Sequence, residues 1–213
     1  MPKKRGSETA EEKSRCLLLE AGKKLFARRG FEGTTVRDLA RTAGVNLSLV
    51  SYYFQGKEGL YRECLELFGQ ARLEMAEKLL QPVSTLPEYR ERLKQAIQEI
   101  VAVQIEEPEI AQIVHREIES DLPVAAKIFE ETFLKIFQAW VKFFQHGQEK
   151  GYIHEHLDPG ILAQILQGSL NYFVRVDSVR LRYFKHSIKD AEHRTQLVEN
   201  FVSVFSAGCF REA

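Results

Sequence analysis

The sequence predicts an all-α fold of about nine helices. Apolar residues recur at i, i+3, i+4 and i+7 spacing in several long windows. The six prolines stand at 2, 82, 87, 108, 123 and 159, outside those windows. A proline inside a helix costs about 3 kcal/mol, so its absence lets the windows continue and its presence marks their ends. No stretch alternates with period two between Asn-Gly or Asp-Gly turns, so strands are not expected. With 44% apolar residues over 213 positions, the chain can build a sizeable core.

The first helix is expected over 9–29, with Leu18, Ala21 and Leu25 on one stripe and Leu17, Leu19 and Phe26 beside it. Gly30 supplies its stop. Later windows are 58–81 (Leu60, Tyr61, Cys64, Leu65, Phe68, Met75, Leu79) and 88–106 (Leu93, Ile97, Ile100, Val101, Ile105). They continue at 124–147 (Ile128, Phe133, Phe137, Trp140, Phe144), 160–183 (Leu162, Leu166, Leu170, Phe173) and 192–210 (Leu197, Phe201, Phe205, Cys209).

Between the first two windows lies TTVRDLARTAGVNLSLVSYYFQGKEGLYR, residues 34–62. Thr35 followed three positions later by Asp38 opens a helix in the manner of a capping box. Val36, Leu39, Ala40 and Ala43 give that helix one apolar side. Gly44 suits a turn that needs positive φ, and Asn46 is a good N-cap for a second helix from about Leu47 to Tyr53. The result is a helix-turn-helix, a layout whose second helix enters the major groove of DNA.

The chemistry at these positions suits DNA. Helix N-termini at Thr35 and Asn46 would present N–H groups to phosphate oxygens. Lys57 could add a charge-assisted phosphate contact, and Arg37, Arg41 and the N-terminal Lys3, Lys4 and Arg5 could add general attraction. Ser48, Ser51, Tyr52 and Tyr53 offer hydroxyls, and Leu47 or Leu49 could meet a thymine methyl group. Tyr53 could equally pack, and Phe54 reads as core.

Phe31, Gly33, Thr34 to Ala40, Ala43-Gly44-Val45, Tyr53-Phe54 and Lys57 to Leu60 resemble the DNA-binding domain of the TetR family of bacterial transcriptional regulators. The preceding LLLEAGKKLFARRGFEGTT is similar to that family's first helix, and the resemblance covers roughly residues 14–65. It implies a homodimer that binds a palindromic double-stranded operator and is released by a small-molecule effector. It also implies DNA contacts from Thr35, Leu47, Ser48, Leu49, Tyr52, Tyr53 and Lys57. The chain departs from the pattern in carrying no basic side chain from Asn46 to Phe54, which points to apolar and hydroxyl contacts. Gly56 stands where Ser is common and Gly59 where Glu is frequent, so weaker capping of the following helix is expected.

The formal net charge of zero divides unevenly. Residues 1–62 hold 13 Lys and Arg against 7 Asp and Glu, whereas 63–213 hold 17 against 23. The basic end fits a nucleic-acid partner. These limits suggest domains at 1–62 for DNA binding and 63–213 for regulation, ligand binding and dimerisation. No transmembrane run or secretory leader is apparent, and a cytoplasmic bacterial location is expected. Cys16, Cys64 and Cys209 read as reduced, buried thiols. His154-Glu155-His156 reads as a solvated loop, and His115 with Glu119 as a polar pair before a metal site. Glu106, Glu107, Glu117, Glu119 and Asp121 read as solvated acids. No cofactor, metal or catalytic constellation is expected, so an enzyme is not.

In the regulatory half, Phe68, Met75, Ile105, Val114, His115, Phe133, Phe137, Trp140 and Phe173 are candidates for an effector pocket by position in the family's architecture, with plain core as the alternative. The last two windows are apolar on more than one side. Ile165, Gly168, Ser169, Tyr172, Leu197, Phe201 and Phe205 are expected at a two-fold four-helix interface. The functional expectation is a ligand-responsive repressor. A small-molecule sensor with a vestigial DNA-binding domain is the alternative.

Overall fold

The computed structural model describes residues 10–121 and 124–210. Lys3, Lys4 and Arg5 lie outside the described residues. The helices are α1 (Ala10–Arg29), α2 (Val36–Ala43), α3 (Ser48–Phe54), α4 (Lys57–Leu79), α5 (Leu86–Glu106) and α6 (Pro108–Glu119). They continue with α7 (Ala126–Ile128), α8 (Leu134–Glu149), α9 (Pro159–Arg175), α10 (Asp177–Phe184) and α11 (Ala191–Cys209). A π-helical turn, Phe129–Phe133, joins α7 to α8 without a break, which makes ten helical rods among the described residues. Only an isolated bridge between Ile153 and Phe210 pairs extended backbone there. The all-α expectation holds, and no helix among the described residues is long and apolar enough to cross a membrane.

Packing groups the chain into two units. The first comprises residues 1–70 and 109–130. Its core joins Leu18 and Phe26 of α1, Leu39 of α2, Val50 and Phe54 of α3, Leu60 and Tyr61 of α4, and Ile110 and Ile113 of α6. Burying each large side chain contributes about 1.5–3 kcal/mol, so a short α3 with Val50 and Phe54 inside is held by packing rather than by its own propensity.

Helix α6 is tied into this unit by polar contacts. Arg116 donates to the carbonyls of Phe26 and Ala27 at 2.8 and 2.9 Å in the last turn of α1, where Phe26 also accepts from the Gly30 N–H at 2.9 Å. Glu117 is 5% exposed and accepts from the Tyr61 hydroxyl at 2.6 Å. The expectation that Glu117 is a solvated acid is therefore corrected: its place on the inner side of α6, facing a buried phenol, decides its burial. Cys16 is also a correction, being exposed off the apolar stripe of α1, whereas Cys64 and Cys209 are buried.

The second unit comprises residues 71–108 and 131–213. Its core joins Leu93, Ile97 and Val101 of α5, Trp140, Phe143 and Phe144 of α8, Leu162, Leu166 and Leu170 of α9, and Leu197, Val198 and Phe205 of α11. Tyr89 stacks on Phe143 with ring centroids 4.2 Å apart, and its hydroxyl donates to the Phe143 carbonyl at 2.9 Å. The window expected as one helix over 160–183 divides at Val176, whose φ of −96° and ψ of 10° leave the helical region. Asp177 explains the break: its carboxylate accepts from Ser187 Oγ at 2.7 Å and from the Ile188 N–H at 2.8 Å, turning α10 toward the loop before α11.

Candidate nucleic-acid interface

Helix α2 begins as its sequence dictates. Thr35 is extended, with φ −104° and ψ 154°, and its hydroxyl oxygen accepts from the Asp38 N–H at 3.1 Å. The same hydroxyl donates to Asp38 Oδ2 at 2.7 Å. That bond first, and then the Arg41 guanidinium, hold the Asp38 carboxyl below the usual carboxylate range. Thr35 therefore spends its hydroxyl proton within the cap, and the donors it leaves toward solvent are those of the backbone at the start of α2.

The turn is closed by Gly44 at φ 67°, where a side chain would be strained. Its N–H donates to the Arg41 carbonyl at 3.2 Å and the Val45 N–H to the Ala40 carbonyl at 3.0 Å, a paired closure of a helix end. Asn46 then caps α3: its Oδ1 accepts from both the N–H and the hydroxyl of Ser48 at 2.9 Å. Leu47 already has helical angles, so the helix starts where the sequence places it.

Val50 and Phe54 face inward, which leaves Leu47, Ser48, Ser51 and Tyr52 on the outer side of α3. Tyr52 is 69% exposed, with its ring 5.0 Å from that of Tyr53. Leu49 and Tyr53 are half-buried, and Arg37 is exposed on α2. Burial raises the Tyr53 phenol, with the Glu11 charge a smaller cause, so it stays a neutral donor.

Lys57 is engaged in a way its position in the chain does not reveal. Its ammonium donates to the Phe31 carbonyl at 2.9 Å and lies 4.0 Å from the centre of the Phe31 ring. Phe31 in turn packs on Tyr61 at 5.1 Å. An ammonium has three donors, so further hydrogen-bonding capacity remains. Between α3 and α4, Gly56 takes a φ of 123° and offers no side-chain cap. At Gly59 a Cβ would stand 1.8 Å from the Phe54 carbonyl oxygen, so glycine there serves a close backbone approach.

The pocket candidates fall in both units. Phe68, Val114 and His115 belong to the first unit, and Met75, Ile105, Phe133, Phe137, Trp140 and Phe173 to the second. Trp140 is buried against Phe143 and Phe144. A cavity of about 300 Å³ lies between α5 and α11, lined by Gln98, Glu99, Ala102, Ile105, Glu106, Arg194, Thr195 and Val198. Ile105 alone among the nine candidates lines it.

The interface candidates divide as well. Ile165, Gly168 and Tyr172 are exposed on α9, and Ser169 and Phe201 are half-buried. Leu197 and Phe205 are buried, with their side chains packed into the unit's own core. Val204 is the large exposed apolar residue of α11.

The family described as bacterial regulatory proteins, tetR family, matches residues 18–64, and the tetracyclin repressor-like C-terminal domain matches residues 87–175. The probable HTH-type transcriptional regulator YttP of Bacillus subtilis (strain 168) is 32% identical over 133 residues, 62% of this chain. That match spans 64% of the relative's own length. The HTH-type transcriptional repressor DhaR of Mycobacterium sp. (strain GP1) is 28% identical over 156 residues, covering 71% of this chain and 76% of that one. Among solved structures, the ketosteroid transcriptional regulator KstR2 of Mycobacterium tuberculosis superposes with a TM-score of 0.74 at 22% identity, over 93% of this chain and 95% of that one. The regulator FadR of Bacillus subtilis, solved in complex with stearoyl-CoA, gives 0.71 at 18% identity, over 91% and 98%. These two likenesses concern the fold.

Proposed function

We propose that this chain, which belongs to the tetR family of bacterial regulatory proteins, is a repressor that binds a palindromic operator as a homodimer and is released by a small molecule. One observation carries the reading: α2 and α3 form a closed helix-turn-helix whose outer side offers Leu47, Ser48, Ser51 and Tyr52 beside two capped helix N-termini. The domains follow function in this proposal, with 1–62 binding DNA and 63–213 carrying effector and dimer contacts.

In the bound state two copies of α3 would sit about 34–36 Å apart in successive major grooves. Backbone attraction comes from the basic first 62 residues, and discrimination from apolar and hydroxyl contacts of α3. An effector acts by favouring a spacing of the two α3 helices that does not fit the operator, to the extent of its differential affinity. Stearoyl-CoA, the ligand of one solved neighbour, is a reasonable first compound to test.

Capture of genomic fragments followed by footprinting tests the reading. The expected result is a footprint with two-fold symmetry whose binding weakens steeply as salt rises. An asymmetric footprint overturns the dimer on DNA. The second reading, a sensor whose DNA-binding domain is vestigial, is favoured by the uncharged α3 and the engagement of Lys57 with Phe31. No retention of any genomic fragment at low salt would select it.

A further inference from the structure

Helix α10 (Asp177–Phe184) buries none of its residues. Val179, Leu181, Tyr183 and Phe184 are 50, 53, 66 and 67% exposed. Eight residues are too few to hold a helix in water on propensity alone. Its polar ties lie near its base, where Asp177 holds Ser187 and Ile188 and Arg180 donates to His193 Nε2. Four large apolar side chains are thus carried outward on a short, tethered helix, an arrangement that lowers solubility unless something covers it.

Two observations identify the cover. The first is continuity. From Pro159 to Val174, α9 contains no charged residue, although Ile161, Ile165, Gly168 and Tyr172 are exposed at helical spacing. A Cβ at Gly168 would meet nothing within 4 Å, so another backbone can come close there. This uncharged strip leads directly in sequence into α10. The second is charge. Residues 175–189 carry Arg175, Arg180, Arg182, Lys185 and Lys189 against Asp177 alone, within a half that holds 23 acids against 17 bases. The segment is basic in an otherwise acidic body, and a second copy supplies that acidic body.

We propose that α10 is part of the contact between two copies of this chain, with the partner covering Val179, Leu181, Tyr183 and Phe184. The proposal rests on the homodimer reading and extends the contact beyond α9 and α11. In a two-fold contact each of these residues is buried twice, once per copy. Arg182 and Lys185 face the partner's acids at the rim, where they steer association more than they tighten it.

The test uses the full chain. Hydrogen exchange is followed on peptides covering 177–184 across a dilution series, with sedimentation equilibrium on the same samples. The expected result is protection of α10 in the dimer that is lost as the dimer dissociates. A Tyr183→Ser/Phe184→Ser double variant, altering only exposed side chains, should dissociate at least about tenfold more readily. A wild-type dimer whose α10 exchanges freely at every concentration, and whose affinity the double variant leaves unchanged, overturns the proposal while the homodimer stands. Protection that appears only on adding vesicles of anionic phospholipid also overturns it and makes the segment a membrane contact. A wild-type chain that stays monomeric throughout removes the homodimer reading itself, and this extension with it.

Discussion

The Tyr61 hydroxyl on α4 donates to the Glu117 carboxylate on α6 across 2.6 Å, joining residues 56 positions apart. Glu117 Oε2 also accepts from the Val124 N–H at 3.4 Å. Burial, reinforced by the Glu117 carboxyl, pushes the Tyr61 phenol well above its ordinary range, so it remains a donor at every physiological pH. Tyr61 also packs edge-on against Phe26 at 4.8 Å, which places the hydrogen bond beside the core of the helix-turn-helix unit.

Tyr61→Phe keeps that packing and removes the donor. A buried acceptor left short of a partner costs about 1–3 kcal/mol. The variant should therefore unfold at lower denaturant concentration with an unchanged slope, measured by circular dichroism in urea. Equal midpoints for variant and wild type would show that the bond contributes nothing net.

Tyr52 and Lys57 should separate in their effects. Tyr52→Ala changes an exposed side chain, so operator affinity should fall about tenfold while the melting temperature stays constant. Lys57→Ala also releases the Phe31 carbonyl and ring, so affinity and melting temperature should fall together. Fluorescence anisotropy on the operator and thermal melts of the same preparations decide it. Wild-type affinity in both variants would show that α3 docks differently.

Thiol reactivity should divide three ways into one and two. Burial pushes the Cys64 thiol up to about 12 and raises that of Cys209. Cys16 is exposed. A disulfide reagent at about pH 8 should modify Cys16 quickly, and the other two only when denaturant is added. Cys16→Ser should abolish the fast phase.

His193 gives a pH dependence. Burial first, then the Arg180 guanidinium and the His186 ring, hold its imidazole below the ordinary value of 6.5, against the smaller pull of Asp190 and Asp177. The His186 and His193 rings stack at 4.9 Å, and a proton on His193 adds charge beside Arg180. Above the ordinary value neither folded nor unfolded chain carries the proton. As pH falls through it, the unfolded chain protonates first, and stability declines until the folded pKa is reached. His193→Gln keeps an acceptor for Arg180 without titrating, so its melting temperature should fall less between about pH 7 and about pH 5.

The sequence by itself determined the all-α class and the helix-turn-helix. Thr35 with Asp38, Gly44 and Asn46 act through hydrogen bonds and backbone angles set within a few residues, so their roles are local and readable from spacing. The inward side of α3 follows from the same periodicity, with Val50 and Phe54 one turn apart. Tertiary structure decided what depends on residues far apart in the chain. Glu117 and Glu119 are both acids near the end of α6, yet only the former turns toward Tyr61 and is buried. Lys57 looks like a free cation until Phe31 is brought 26 positions back to meet it. Leu197 and Phe205 share the apolar character of Ile165 and Tyr172, and only packing assigns the first pair to the core and the second to the surface. The break at Val176 likewise comes from Asp177 reaching a loop ten residues on. Helical periodicity states which side of a helix is apolar. What meets that side is fixed by the neighbours that the fold brings to it.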